Sequence, residues 1–310
     1  HRWEQFLTEI FPEDVFNGQQ GEIIDFIQVM LGYVITGNIS EQKIFFLYGK
    51  GSNGKSVLLS LIEWILGHYS MKLPSSVLMQ SRVSQHPTEL AQLQGKRLAA
   101  SSELEDGQYW AEARLKELTG DDTLTARYMR GDFFTFNQTQ SHIIAGNYRP
   151  KLKGGDEAIQ RRMVLIPFKA KFEGASRDDR LQAKLRAEAP QILHWLIQGA
   201  MRWYEEGLVI PKEIAKESSE YMQVMDDISE WIADCCELGV NASQGAQRLY
   251  DSFHHWKSKR NEKSPSLVIW RERLLQQYPV ITAGKRKKYG VPLEGICLTE
   301  DEMRNTEGTK

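Results

Sequence analysis

The 310-residue sequence predicts an α/β chain built on a largely parallel sheet, followed by a smaller, mainly helical module. Three observations predict it. Short apolar segments at Ile44–Tyr48, Lys96–Ser101, Ser141–Ala145 and Met163–Phe168 read as buried strands. Helical spacings lie between them, and alternation of this kind gives a three-layer fold with helices on the sheet faces. A glycine-rich loop follows the first strand and opens a helix, the setting of a phosphate-binding turn.

Each element follows from its local pattern. Ile23, Ile24, Ile27, Leu31 and Val34 recur at threes and fours and predict an amphipathic helix, which Gly37 and Asn38 end. Ile44–Tyr48 is the first strand, and a helix runs from Lys55 to Gly67. Trp110–Leu118 reads as a helix stopped by Gly120. Thr123–Phe136 alternates as a hairpin does, with Arg130-Gly131-Asp132 at its turn. Leu181–Glu206 is helical, with a fresh start at Pro190. Beyond Gly207–Pro211 the pattern changes to helices at Glu213–Cys236, Ala246–Lys259 and Leu267–Tyr278. Two strands then fall within Val280–Thr299, around the basic turn Lys285–Gly290. Helices followed by a β-wing are the pattern of a winged-helix module. The expected organisation is a helical segment over residues 1–38 that serves assembly, a nucleotide-type core over 39–207, and a connector with a winged-helix-like DNA-binding module over 208–310.

Composition narrows the classes of function. Eight Trp, eleven Tyr and twelve Phe are enough bulk for a core, which excludes a disordered or fibrous chain. No apolar run reaches the length of a membrane span. Arg2, Glu4, Glu9, Glu13 and Asp14 crowd the opening, which does not read as a signal peptide. The first residue is His1, so a fragment of a longer protein is expected. Three cysteines, Cys235, Cys236 and Cys297, are too few for a disulfide framework or a zinc cluster. The net charge is only −2, but residues 244–290 hold eleven Lys and Arg against three acids. That end therefore either meets a polyanion or is a solvated surface.

The sharpest chemical signal is Gly49-Lys50-Gly51-Ser52-Asn53-Gly54-Lys55-Ser56, which fits G-x-x-x-x-G-K-[ST]. Glycines let successive N–H groups point at phosphate oxygens, and the helix opening at Lys55 adds its positive dipole end. Gly49, Gly51, Ser52, Asn53, Gly54, Lys55, Ser56 and Val57 are the candidate nucleotide contacts. The Lys55 ammonium would meet the β- and γ-phosphates, and Ser56 would hold Mg2+. No Asn-Lys-x-Asp guanine-reading motif is present, which favours ATP. Acids at the end of a neighbouring strand are also needed, and Glu103 and Glu105 supply them, with Asp106 in reserve. One would serve the metal, expected to be Glu103, and another the attacking water. Asn147, after Ser141–Ala145, either orients water at the γ-phosphate or is a turn residue before Pro150. Arg161 and Arg162 either steady phosphoryl charge in a neighbouring subunit or form surface ion pairs.

The order of these pieces resembles the superfamily-three helicases of phages, plasmids and small DNA viruses. The likeness is nearest to the helicase half of phage and plasmid primase-helicases, to which the poxvirus primase-helicase is related. It rests on Phe46–Ser56, Ala100–Glu105, Leu118–Asp122, Ala126–Phe134, Ala145–Pro150 and Arg161-Arg162, within about residues 20–170. The resemblance implies an AAA+ ATPase core that assembles as a homo-oligomeric ring, usually a hexamer, with ATP between subunits. It implies Lys55 and Ser56 as phosphate and metal residues, Glu103 and Glu105 as the acidic pair, and Asn147 as sensor. Arg161 or Arg162 would be the arginine finger, with Arg162 favoured by its distance from Asn147. The family's acids are often adjacent, whereas Leu104 separates them here. A primase domain or partner, and the cytoplasm of a bacterial host cell, are implied with it.

The family's hairpin projects into the ring channel. Here Arg130 would stand at its tip and Arg127 further back, gripping phosphates of single-stranded DNA without reading bases. Lys285, Arg286, Lys287 and Lys288 are the wing residues expected on duplex origin DNA. A ring-forming, ATP-driven helicase is the first reading. An ATP-switched initiator or loader with little unwinding is the second, and a small-molecule P-loop kinase is the third.

Overall fold

The computed structural model describes residues 1–81, 88–102, 104–105, 107–120, 122–152, 157–174, 177–224, 227–260, 264–285 and 291–307. The chain forms two compact units, His1–Met222 and Gln223–Lys310.

The first unit opens with α1 (Arg2–Ile10) and α2 (Gln20–Thr36), then β1 (Ile44–Tyr48) and α3 (Lys55–Leu66). It continues through β2 (Ser70–Lys72), α4 (Thr88–Ala91), β3 (Leu98–Ser101) and α5 (Glu112–Gly120). A hairpin of β4 (Thr123–Arg127) and β5 (Phe133–Asn137) leads to β6 (Ser141–Gly146), α6 (Glu157–Gln160) and β7 (Met163–Pro167). Three helices close it: α7 (Leu181–Ala187), α8 (Ala189–Glu206) and α9 (Lys212–Val224).

The sheet is the predicted parallel one, in the order β2-β3-β6-β1-β7. β1 sits inside it because its residues must be buried on both faces. Phe45 turns toward Tyr33 of α2, ring to ring at 6.5 Å, and Phe46 toward Trp110 at 5.8 Å and Tyr221 at 6.0 Å. A continuous apolar run suits such a strand, where an alternating one would bury polar side chains. Trp110 is drawn out of the expected helix by this packing. It bridges to Met79 and gives its N–H to the Lys151 carbonyl at 2.9 Å, so α5 begins at Glu112.

The apolar faces of α1 and α2 are used inside this unit. α2 is buried almost continuously from Ile23 to Ile35 and ends at Gly37, whose φ of 78° is left-handed. It crosses α8 at two glycines. A Cβ on Gly32 would lie 2.2 Å from the Ala200 nitrogen, and one on Gly199 would lie 2.1 Å from the Gln28 carbonyl. α9 joins the same unit through side chains: Ser218 Oγ accepts the Leu165 N–H at 2.9 Å, and Tyr221 Oη donates to the Pro150 carbonyl at 2.6 Å. The first unit therefore extends past the composition change at residue 207.

The second unit runs α10 (Asp227–Cys235), β8 (Cys236–Gly245), α11 (Ala246–Lys259), α12 (Leu267–Gln277), β9 (Thr282–Ala283), β10 (Pro292–Leu298) and α13 (Glu300–Glu307). Its antiparallel sheet has the order β8-β10-β9. Trp231, Phe253 and Trp270 form the centre, with Trp231 and Trp270 edge to face at 5.7 Å. Of the expected Glu213–Cys236 helix, the described residues up to Val224 and from Asp227 to Cys235 are helical, and residues 225–226 lie outside the described residues. One correction arises at its end, where Cys236 opens a strand by pairing with Leu298. Cys236, Leu238, Val240 and Ala242 alternate with Glu237, Gly239, Asn241 and Ser243, but most of the strand is exposed, so the alternation marks no buried face and pairing with β10 holds it. Among the described residues no helix is long and apolar enough to cross a membrane.

Candidate nucleotide and nucleic-acid site

The strand order decides what meets what. β1, β6 and β3 run parallel, with Tyr48 beside Gly146 and Ser101 beside Ile144. Their carboxyl ends therefore deliver the glycine loop, Asn147 and the acidic segment to one edge, where ligands of such sheets bind.

The loop has the conformation its residues permit. Gly51, Ser52 and Gly54 take φ values of 100°, 48° and 89°, a run of left-handed residues that turns amides to one side. At Gly49 a side chain is impossible: a Cβ would stand 2.1 Å from Asn53 Nδ2 and 2.4 Å from the Phe168 carbonyl. Asn53 Nδ2 donates to that carbonyl at 3.1 Å and so ties the loop to the end of β7. α3 then starts at Lys55, with the exposed Ser56 hydroxyl and Val57 in its first turn.

Lys55 is buried, and its ammonium donates to three oxygens: Gly49 O at 2.6 Å, Asn53 Oδ1 at 2.9 Å and Asn147 Oδ1 at 3.1 Å. Burial pushes its pKa down to about 8. No carboxylate is among those three partners. A buried cation held by neutral oxygens is poised for an anion, and the loop amides and the start of α3 supply the matching positive field. The residues present therefore fit a phosphate chain.

The acidic segment is described in part. Leu104 is buried, and a Cβ on Gly146 would come within 2.7 Å of Leu104 Cδ1. The leucine between the two acids is thus an anchor beside the sensor strand. Glu105 is exposed, and its N–H donates to Gln108 Oε1 at 3.2 Å. Glu103 and Asp106 lie outside the described residues. No group of three metal-capable side chains occurs among the described residues.

The two arginines part company. Arg162 is buried and gives Nη1 to the Ala158 carbonyl at 2.7 Å, while Arg161 is exposed. Lys43 Nζ donates to the Arg161 carbonyl at 2.6 Å. Burial holds the Lys43 pKa below the usual lysine value. Glu41 opposes that shift, and the guanidinium groups of Arg161 and Arg162 add to it. Sequence spacing missed a further cation at the loop. Arg149 lies 4.2 Å over the Tyr48 ring and pairs at 3.5 Å with Glu217, which Lys169 also holds at 2.7 Å. Glu217 is 68 residues away along the chain, so no local pattern signals the contact.

In the hairpin Arg127 pairs with Phe133 across the strands, its guanidinium 5.0 Å over that ring. Tyr128 stacks on Phe134 at 5.3 Å. Tyr128, Met129 and Phe133 are exposed, and so is Arg130, whose φ of 61° is left-handed. In the second unit Lys285 is exposed, and Arg286, Lys287 and Lys288 lie outside the described residues.

Comparison with known proteins fits the resemblance read from the motifs. A protein-family model described as a family of unknown function (DUF5906) matches residues 47–162. A putative helicase, L207/L206 of Acanthamoeba polyphaga mimivirus, is 26% identical over 296 residues, covering 88% of this chain and 30% of that protein. Primase D5 of fowlpox virus is 26% identical over 177 residues, covering 55% of this chain and 22% of its own length. This chain thus spans less than a third of either relative. The apo structure of the NrS-1 C-terminal region has the same fold: the TM-score is 0.56 at 14% identity, over 96% of this chain and 75% of that one. The chain's relatives are therefore viral helicases and primases, a poxvirus primase among them.

Proposed function

We propose that this relative of viral helicases and primases is the ATP-driven motor of a DNA helicase. The observation that carries the reading is the hydrogen bond from Lys55 Nζ to Asn147 Oδ1, 3.1 Å long between residues 92 apart in sequence. It joins the phosphate loop to the polar tip of the adjacent strand, so a γ-phosphate drawn to Lys55 competes with Asn147 for the same ammonium. Binding at the loop then releases the asparagine amide to orient water. Glu105 or Glu103 takes the proton of that water. Ser56 and Glu103 would hold a magnesium ion, whose charge screens the phosphates.

A homo-oligomeric ring, hexameric as in the family it resembles, would put an arginine of one subunit at the site of the next. The exposed Arg161 suits that role better than Arg162, which is engaged within its own subunit. The hairpin would carry Arg130 to single-stranded DNA, with Arg127 behind it. The order helix, strand, helix, helix, strand, strand in the second unit suits a winged helix, and the basic run Lys285–Lys288 falls in the sequence between its last two strands. That order also supports the second reading, an ATP-switched initiator on duplex DNA.

The test is steady-state ATP hydrolysis with and without single-stranded DNA, with particle mass measured on the same samples. A DNA-stimulated rate from a ring-sized particle, lost in Lys55→Ala, is expected. Mixing Arg161→Ala with Glu105→Gln subunits should restore part of the rate, because each supplies what the other lacks. A monomer whose turnover ignores DNA would refute the motor reading. Tight duplex binding with slow turnover would favour the initiator.

A further inference from the structure

The amino edge of the sheet, opposite the phosphate loop, carries a different chemistry. β2 and β3 run parallel to β6 and β1, so Tyr69 before β2 and Lys96-Arg97 before β3 come to that edge. α3 starts at the loop and ends there too, with Trp64 in its last turn and Arg186 of α7 alongside. Short bonds tie these pieces into one surface. Ser70 Oγ is 2.9 Å from both the Glu63 and the Gly67 carbonyl oxygens. Lys96 Nζ donates to the His68 carbonyl at 2.7 Å, and the Arg97 N–H to the Tyr69 carbonyl at 2.7 Å.

Two open aromatic rings stand on this surface, each beside a guanidinium. Arg186 lies 5.2 Å over the Trp64 ring and Arg97 lies 4.7 Å over the Tyr69 ring, yet Trp64 and Tyr69 keep 48% and 53% of their exposure. Arg97 also donates to the Ile35 carbonyl. Among the described residues, Lys96, Arg97 and Arg186 have backbone carbonyls and rings for partners, and no carboxylate. Glu63, next to Trp64, is half-buried and faces the charge of Lys72. A solvated ion-pair face would match its cations with acids. This one keeps three cations that no described carboxylate neutralises, set among rings that no side chain covers fully.

We propose that this surface binds single-stranded nucleic acid, apart from the hairpin and from the basic run of the second unit. Its cations meet phosphates and its rings stack on bases, the two contacts that hold an unpaired strand without reading its sequence. A guanidinium held by a ring and a carbonyl still has N–H groups for a phosphate oxygen. A duplex turns its base faces inward and would leave Trp64 and Tyr69 with nothing to stack on. The surface also adjoins the root of the hairpin. Thr139, just past β5, donates its hydroxyl to the Lys96 carbonyl at 2.7 Å, and the Ser141 N–H donates to the Arg97 carbonyl at 2.9 Å. A strand held by the hairpin, as proposed, would have this surface at its foot. The inference itself does not depend on the nucleotide site.

The experiment is fluorescence anisotropy of the full chain, without nucleotide, against labelled oligothymidylate, an abasic oligonucleotide of the same length and a duplex. Oligothymidylate is expected to bind tightest. Trp64→Ala and Tyr69→Ala are each expected to weaken it about five- to a hundredfold and to leave abasic binding unchanged. Arg186→Ala is expected to lower the salt slope by about 0.7. Abasic DNA bound as tightly as oligothymidylate would overturn the stacking and reduce the surface to a polyanion patch. Equal binding of the duplex would overturn the choice of a single strand. Unchanged affinity in the Trp64→Ala/Tyr69→Ala double variant, with Arg130→Ala weakening binding, would overturn this surface and leave the hairpin reading standing. Arg186 is exposed and its removal needs no repacking, so an unchanged salt slope in Arg186→Ala would count against the surface even where a ring variant melts early. Binding of none of the three would remove both contacts together.

Discussion

If the loop holds a nucleotide as proposed, the burial of Lys55 makes that binding a proton-uptake reaction in the mildly alkaline range. The free chain holds the ammonium near pKa 8 because it is taken out of water. A phosphate chain against Nζ favours the charged form and returns the pKa toward the ordinary lysine value. At pH 8 about half of the free chains carry a neutral Lys55, so binding takes up about 0.5 proton per site. At pH 9 uptake approaches about 0.9 proton, and at pH 7 it is about 0.1. Affinity should fall about tenfold per pH unit above 8. Calorimetric titration with ADP, at each pH in two buffers of different ionisation heat, gives the proton count from the difference in heat. Nucleotide phosphates placed in a cationic site release protons if they exchange any, so their contribution has the opposite sign. The free chain carries the mirror effect. Its folded-state pKa is lowered, so the unfolded chain binds more protons between about pH 8 and 10.5, and the Lys55 contribution to stability rises with pH across that window. Zero uptake or net release at pH 8 and 9 would refute the argument, because Lys55 would then be no more buried to a proton than a surface lysine.

Three further outcomes follow from named contacts. Gly32→Ala should unfold the first unit at markedly lower denaturant, by about 3 kcal/mol or more, because its Cβ meets backbone of α8 at 2.2 Å and neither helix can give way; equilibrium unfolding measures it. Tyr221→Phe should cost about 2–4 kcal/mol, since the lost hydroxyl strands both the Pro150 carbonyl and Trp110 Nε1, which donates to it at 2.6 Å; the same measurement checks it. Arg130→Ala should weaken single-stranded DNA binding and lower the salt dependence by about one counterion, with DNA-free ATP hydrolysis unchanged. Binding titrations across a salt series would show it, and an unaltered slope would take Arg130 off the phosphate path.

The parts of the site that proved legible in the sequence are those whose chemistry is local. Eight consecutive residues hold the phosphate loop, and the strand before it and the helix after it sit where the spacing puts them. The hairpin was legible because its alternation and its turn lie within fifteen residues, from Thr123 to Asn137. β8 was not read as a strand, although Cys236, Leu238, Val240 and Ala242 alternate, because Gly239 and Gly245 interrupt the pattern and most of its side chains are exposed. Its register with β10 even slips between Glu294 and Ile296, where Gly295 takes a φ of 93°. Arg161 and Arg162 illustrate a finer limit. They are chemically identical neighbours, and only the burial of the second, beneath the Ala158 carbonyl, separates their prospects.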